Sequence, residues 1–294
     1  MVKKRELFCA CFILSVFLTT CFGASGVSGW SNGGYSADPT HPDYGTHDWI
    51  AEHALDWLPQ QEKQFILDNK VVYLYGTELP DNNQASDGIG DTGKHHVYYS
   101  ASGVLQDDAA AVRARDEYTK AVNAFNAGNR SGAAKELGIV AHYIADMAVF
   151  GHVMGASTAW GAETHHSDYE DYVQERTNSY ADTFNSFLVF DGTLSTKSAY
   201  DAAVTLANDS TFDGNGGYTC VWMDTHYNWN DAAFKNRAGE SLNLAVNAVA
   251  DVLHTFGAEV GVPEFPSAAV LALLLLLMLP VAVFLKKKSV NQKA

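Results

Sequence analysis

The sequence predicts an all-α fold, a single multi-helix domain carried between two apolar terminal segments. Apolar residues recur at helical spacing in several long stretches, while strand-like alternation is scarce. Between Leu137 and Glu170, five residues of metal-ligand type (His142, Asp146, His152, His166 and Glu170) fall on or beside such stretches.

The elements follow in order. Residues 47–58 (HDWIAEHALDWL) come after Thr46, a capping type, and set Ile50, Ala54, Leu55 and Leu58 on one helical face. Residues 71–75 read as a short strand or a helix end. A second helix is predicted over 106–127, stopped by Gly128, a third over 133–150, a fourth over about 167–187, and a last over 237–256, closed by Gly257. Residues 211–230, rich in Gly, Asn and aromatics, read as a long ordered loop near the site or over it.

The termini are addresses. Residues 1–29 have the form of an export signal: Lys3, Lys4 and Arg5, an apolar core over 7–22, and the small residues Val27-Ser28-Gly29 before a new terminus at Trp30. A lipoprotein reading of Cys21 is disfavoured by Thr20 before it. At the other end, Val262-Pro263-Glu264-Phe265-Pro266 precedes nineteen mostly apolar residues, 267–285, and then Lys286, Lys287 and Lys288. That length spans a bilayer as a transmembrane helix with the lysines cytoplasmic, which puts a domain of residues 30–260 outside the cell and leaves 261–294 as its tail.

Composition narrows the function. Without the two ends, 12 basic residues face 32 acidic ones, a formal charge of −20 that repels polyanions and disfavours a stable nucleic-acid partner. Cys9, Cys11 and Cys21 go with the signal, so Cys220 has no partner for an intramolecular disulfide, and stability falls to core packing and metals.

The His and acidic residues carry the chemistry. His142 and Asp146 stand four apart, as do His166 and Glu170, which puts each pair on one helical face, and His152 lies between the pairs. Imidazole and carboxylate donors suit zinc, and carboxylates that can bridge suit a site of more than one ion. The alternative is a satisfied structural His–Asp contact. Against it, a His and an Asp inside the apolar pattern of 133–150 are costly to bury without partners.

Trp30 at a new amino terminus, the run Thr46-His47-Asp48-Trp49, Pro80-Asp81, Lys94-His95-His96-Val97-Tyr98-Tyr99, His142-Tyr143-Ile144-Ala145-Asp146, His152 and His166-Ser167-Asp168-Tyr169-Glu170 together resemble the zinc-dependent bacterial phospholipase C family in order and spacing. The resemblance covers 30–170 and thins after Glu170. It implies a mostly helical fold holding three zinc ions: one on Asp81, His96, His142 and Asp146, a second on His152, His166 and Glu170, and a third on the amine and carbonyl of Trp30 with His47 and, as a bridge, Asp146. His96 is preferred to His95 because it aligns with the aromatics that follow. Asp81 is the implied general base as well as a ligand.

The implied activity is cleavage of phospholipid to diacylglycerol, or its ether equivalent, and a phosphorylated head group by metal-activated water. The tail resembles archaeal PEF-CTERM sorting signals, which implies a sorting transpeptidase as partner. Where choline-preferring relatives cage the head group, this chain has Gly33, Asn82 and Gly93, from which no cation–π cage can be built. A phospholipase C is therefore weighed against a single-strand-specific zinc nuclease and against a non-catalytic surface protein stabilised by zinc. His41, His53, His226 and His254 read as surface or helix histidines, and Asn129 and Asn208 begin glycosylation sequons.

Overall fold

The computed structural model describes residues 43–177, 183–214 and 216–261. Trp30, Gly33, His41, the signal and the apolar tail lie outside the described residues. Among those described, no helix is long and apolar enough to cross a membrane.

The chain forms α1 (Thr46–Trp57), α2 (Gln60–Leu67), α3 (Lys70–Glu78), a two-stranded hairpin of β1 (Tyr98–Tyr99) and β2 (Leu105–Asp107), then α4 (Ala109–Asn126), α5 (Arg130–Ala145), α6 (His166–Thr177), α7 (Ala199–Phe212), α8 (Cys220–Thr225) and α9 (Ala232–Glu259). Short 3₁₀ turns lie at Thr92–Lys94, Asp146–Ala148, Phe150–Val153 and Asn185–Phe187.

Helix α5 is the axis of the fold. Gly128, at φ +83°, ends α4, and the Asn129 side chain then caps α5 by accepting from the Gly132 amide. Every residue of α5 from Leu137 to Ala145 is buried, so this helix is apolar all round except where it carries His142. Its approach to α3 is backbone on backbone: a Cβ added at Gly138 would lie 2.0 Å from the Tyr73 carbonyl oxygen, and one at Gly76 would lie 2.2 Å from that of Lys135. Only glycine permits that spacing, and it brings the turn after α3, with Asp81, against His142. Helix α4 covers a second side of α5, and α9 packs on α1 and α7 to close the core.

Several expectations are corrected. Residues 71–75 are neither strand nor helix end but the body of α3. The second predicted helix begins later, at Ala109, because Leu105–Asp107 pairs with β1. The third gives way at Asp146 to 3₁₀ turns, and the fourth reaches Thr177, with 178–182 outside the described residues. The last helix is longer on both sides. Residues 211–230 are not all loop, since α8 lies within them, and α2 and α7 were not anticipated.

Candidate metal centre

The functional side chains arrive from separate elements. His47 enters from the first turn of α1, Asp81 from the turn after α3, His142 and Asp146 from the end of α5, His152 from the 3₁₀ turn Phe150–Val153, and His166 and Glu170 from α6. All seven are buried. Together with the buried His95, they form three groups whose donor atoms converge: His47, His142 and Asp146; Asp81, His95 and His142; His152, His166 and Glu170.

The separations carry a signature. Four atoms placed tetrahedrally around one ion at zinc's bond lengths of about 2.0–2.1 Å stand about 3.3 Å from one another. In one group, His95 Nδ1 lies 3.3 Å from Asp81 Oδ1 and 3.2 Å from Asp146 Oδ2, and His142 Nε2 lies 3.2 Å from Asp146 Oδ2 and 3.3 Å from His95 Nδ1. His47 Nε2 is 3.3 Å from the other oxygen of Asp146, Oδ1. In the remaining group, Glu170 Oε1 is 2.9 Å from His166 Nε2 and 3.4 Å from His152 Nε2.

Hydrogen bonding accounts for only part of this packing, between His166 Nε2 and Glu170 Oε1 and between the His142 and His95 rings. His47 Nε2, both oxygens of Asp146, His152 Nε2 and Glu170 Oε2 are buried and form no hydrogen bond, although they lie beside one another. Donors that crowd together yet fail to align with each other are aimed at shared points between them, which fits a bound cation.

Electrostatics agrees. Burial opposes ionisation of Asp146 most strongly, but His142, His152 and His47 outweigh it and hold the carboxyl well below its usual range. Burial pushes the Asp81 carboxyl up, with His142 and His95 pulling against it. Burial also works against a charged His95, yet Asp146, Asp91 and Asp81 raise the imidazolium to about 10; for His166, Glu170 and Glu163 do the same, again to about 10. Carboxylates that hold protons on two buried imidazoles in this way would also draw a divalent cation.

The structure corrects one expected ligand. His95, not His96, enters the cluster. His95, Val97 and Tyr99 are buried while His96 and Tyr98 between them are less so, the period-two alternation of extended chain. His96 is turned the other way, its ring stacked on Tyr98 at 4.3 Å and its Nε2 3.2 Å from Asp107 Oδ2. The signal was readable: Val97 is the inward apolar residue, and the histidine two places before it shares its side.

Other supporting groups were missed. His142 Nδ1 donates to the Thr77 carbonyl at 2.7 Å, which leaves Nε2 to face the cluster. His166 Nδ1 lies 3.4 Å from Glu163 Oε1. A Cβ at Gly151 would stand 2.5 Å from the His166 ring, so that position is glycine for lack of space. Of the histidines set aside, His53 contacts Asp56, His226 stacks on Trp222, and His254 contacts Glu62, all away from the cluster. Beside the cluster opens a cavity of about 390 Å³, walled by Thr92, His96, Tyr98, Met154 and Glu163 and floored by His95, His152 and His166.

The family model for zinc dependent phospholipase C matches residues 46–216. Among solved structures, the chain is similar to the alpha toxin from Clostridium absonum, with TM-score 0.50 and 19% identity over 76% of this chain and 66% of the toxin, just under two thirds of its length. A Clostridium perfringens alpha-toxin isolated from an avian strain matches with TM-score 0.47 and 16% identity, over 81% of this chain and 68% of that one. No curated protein matches significantly by sequence. The family match spans more than half of the chain and covers the whole described cluster, and on that ground the chain belongs to the zinc-dependent phospholipase C family of phosphodiester hydrolases.

Proposed function

We propose that this protein is an exported phospholipase C that cleaves the bond between diacylglycerol, or its ether equivalent, and a phosphorylated head group. The observation that carries the proposal is the division of the Asp146 carboxylate, one oxygen toward His95 and His142 and the other toward His47. Such a division suits two ions sharing one carboxylate. In this reading Asp81, His95, His142 and Asp146 hold one zinc, His152, His166 and Glu170 a second, and His47 with Asp146 a third, completed by the amine and carbonyl of Trp30.

Bound zinc supplies Lewis acidity, lowering the pKa of water and neutralising the phosphate oxygens as charge builds on them. The chain's own residues do the rest. Asp81, in this reading also a ligand, serves as the general base that takes a proton from the attacking water. Tyr98 and Met154 line the cavity on which the head group or glycerol end would rest.

Among the described residues, the positions that match the choline cage supply no aromatic side chain. With His95 as ligand, the residue three before it is Thr92 rather than Gly93, and neither is aromatic. Asn82 is buried, with its side-chain oxygen taken by the Gln84 and Ala85 amides, so it shapes a turn instead of a cage. This supports a preferred substrate other than phosphatidylcholine. Export through 1–29, anchoring through 267–285 and trimming at the Pro-Glu-Phe motif by a sorting transpeptidase complete the proposal, supported by the charge pattern of those segments.

The test is a zinc count on protein beginning at Trp30, joined to assays on phospholipid, single-stranded DNA and a phosphomonoester side by side. Release of diacylglycerol with three zinc ions per chain is expected; hydrolysis of DNA without lipid cleavage would favour the nuclease reading instead.

A further inference from the structure

A metal-binding imidazole is fixed in place by whatever holds its second nitrogen. His142 has the Thr77 carbonyl for this and His166 has Glu163. His95 differs. Its Nε2 is buried and makes no full hydrogen bond, and its neighbour is Asp91 Oδ1 at 3.5 Å.

Asp91 itself is clamped. The Tyr143 hydroxyl donates to Oδ1 at 2.6 Å, and Arg113 Nε donates to Oδ2 at 2.8 Å. Arg113 Nε also reaches the Tyr143 hydroxyl at 3.2 Å, and its Nη2 meets the buried Glu117 at 2.8 Å. Two helices, α4 and α5, thus hold one carboxylate against the outer edge of one ring. The ring stands edge-on to Tyr143 at 5.3 Å and to His142 at 4.8 Å, which limits its tilt but not a half-turn that would exchange Nδ1 and Nε2.

We infer that Asp91 is a positioning residue. Held by Arg113 and Tyr143, its carboxylate selects the orientation in which His95 carries its proton on Nε2 and turns Nδ1 toward Asp81, Asp146 and His142. A small shift closes the 3.5 Å gap to a hydrogen bond when Nδ1 is drawn inward. The ring is oriented before the ion arrives, so the ordering cost is met in folding rather than in binding. This inference rests on His95 being a ligand, as proposed above.

The experiment is a zinc competition titration and metal count on full protein beginning at Trp30, comparing Asp91→Ala, Asp91→Asn, His95→Ala and, as control, Asp87→Ala. Asp87 also ties helices together, through Lys135 at 2.9 Å and Tyr75 at 2.8 Å, but touches no member of the cluster. Outer carboxylates of this kind are worth about 10–100-fold in metal affinity. Asp91→Ala should weaken one of three sites by that factor, Asp91→Asn, which keeps an acceptor oxygen, should weaken it less, and Asp87→Ala should titrate like the parent. The melting point of the zinc-free protein should fall no further for the Asp91 variants than for Asp87→Ala. If His95→Ala loses one ion while both Asp91 variants titrate like the parent, the positioning role is wrong and His95 is still a ligand. If His95→Ala keeps all its zinc, the ligand assignment fails as well. Equal weakening of every site together with a lowered zinc-free melting point would make Asp91 a purely structural residue and overturn the inference.

Discussion

Replacing Asp146 by Asn keeps the shape of the side chain and removes the charge that His47, His95, His142 and His152 surround. Asp146→Asn should lower phospholipid turnover by at least about 100-fold and release at least one zinc per chain, as read by elemental analysis beside the assay. Full activity would refute the bridging role. Much at this scale was legible before any fold was known: the i,i+4 pairs, His152 between them, His47 and Asp81 all reach one cluster. The choice between His95 and His96 was legible as well, in the inward position of Val97, but alignment to the following aromatics points to the wrong histidine. Asp91, Glu163 and the Thr77 carbonyl were invisible, since they meet the site only through long-range packing.

Among the elements, the contact between α3 and α5 sets the distance between Asp81 and His142. Gly138→Ala gains up to about 1 kcal/mol of helix propensity but drives a methyl into the Tyr73 carbonyl. Overpacking costs about 1–3 kcal/mol, so net destabilisation is expected in a denaturant melt, with weaker zinc binding as the helices part. This same contact explains why α3 was misread. Its Val71-Val72-Tyr73-Leu74-Tyr75 core has β-branched and aromatic residues that propensity gives to a strand, and only docking on α5 makes it helical. Helices α2 and α7 were missed because one is mostly polar and the other built from alanine and small residues, so neither shows a strong apolar face.

Helices α4 and α5 also meet through Glu117 and Glu136. Burial and the hydrogen bond that protonated Glu136 donates to the Glu117 carboxylate raise the Glu136 carboxyl to about 7. A carboxyl raised on folding stabilises the protein below its unfolded value, and that contribution is lost as pH climbs toward 7. Glu136→Gln should therefore flatten the fall in stability between about pH 4.5 and 7, and at pH 8 gain about 1 kcal/mol over the parent once screening at this partly exposed site is allowed for. Melts across pH would check it; an unchanged slope would contradict the coupling.

On the scale of the whole molecule, the proposed third zinc needs a free α-amine at Trp30, which on that proposal would couple processing to catalysis. Protein carrying one extra residue before Trp30 should bind one zinc fewer and lose most of its activity, measured against protein cut at that position. Among the described residues, those of the candidate metal cluster run from His47 to Glu170, before α7, α8 and α9. The family match runs on to residue 216, past Glu170, where the resemblance read from the sequence thins.

One last consequence comes from where Asp146 sits. It caps the carboxyl end of α5, where the helix dipole is negative, and it shares its surroundings with Asp81 and Glu170. Stripped of cations, this hollow has its carboxylates balanced by the protonated His95 and His166, which leaves no surplus of positive charge to hold the anionic part of a lipid. Loading must then be ordered, ion before phosphate. Inorganic phosphate should protect the zinc-replete protein against heat and do nothing for a chelated sample, and protection of both would show that the anion is recognised without help from the metal.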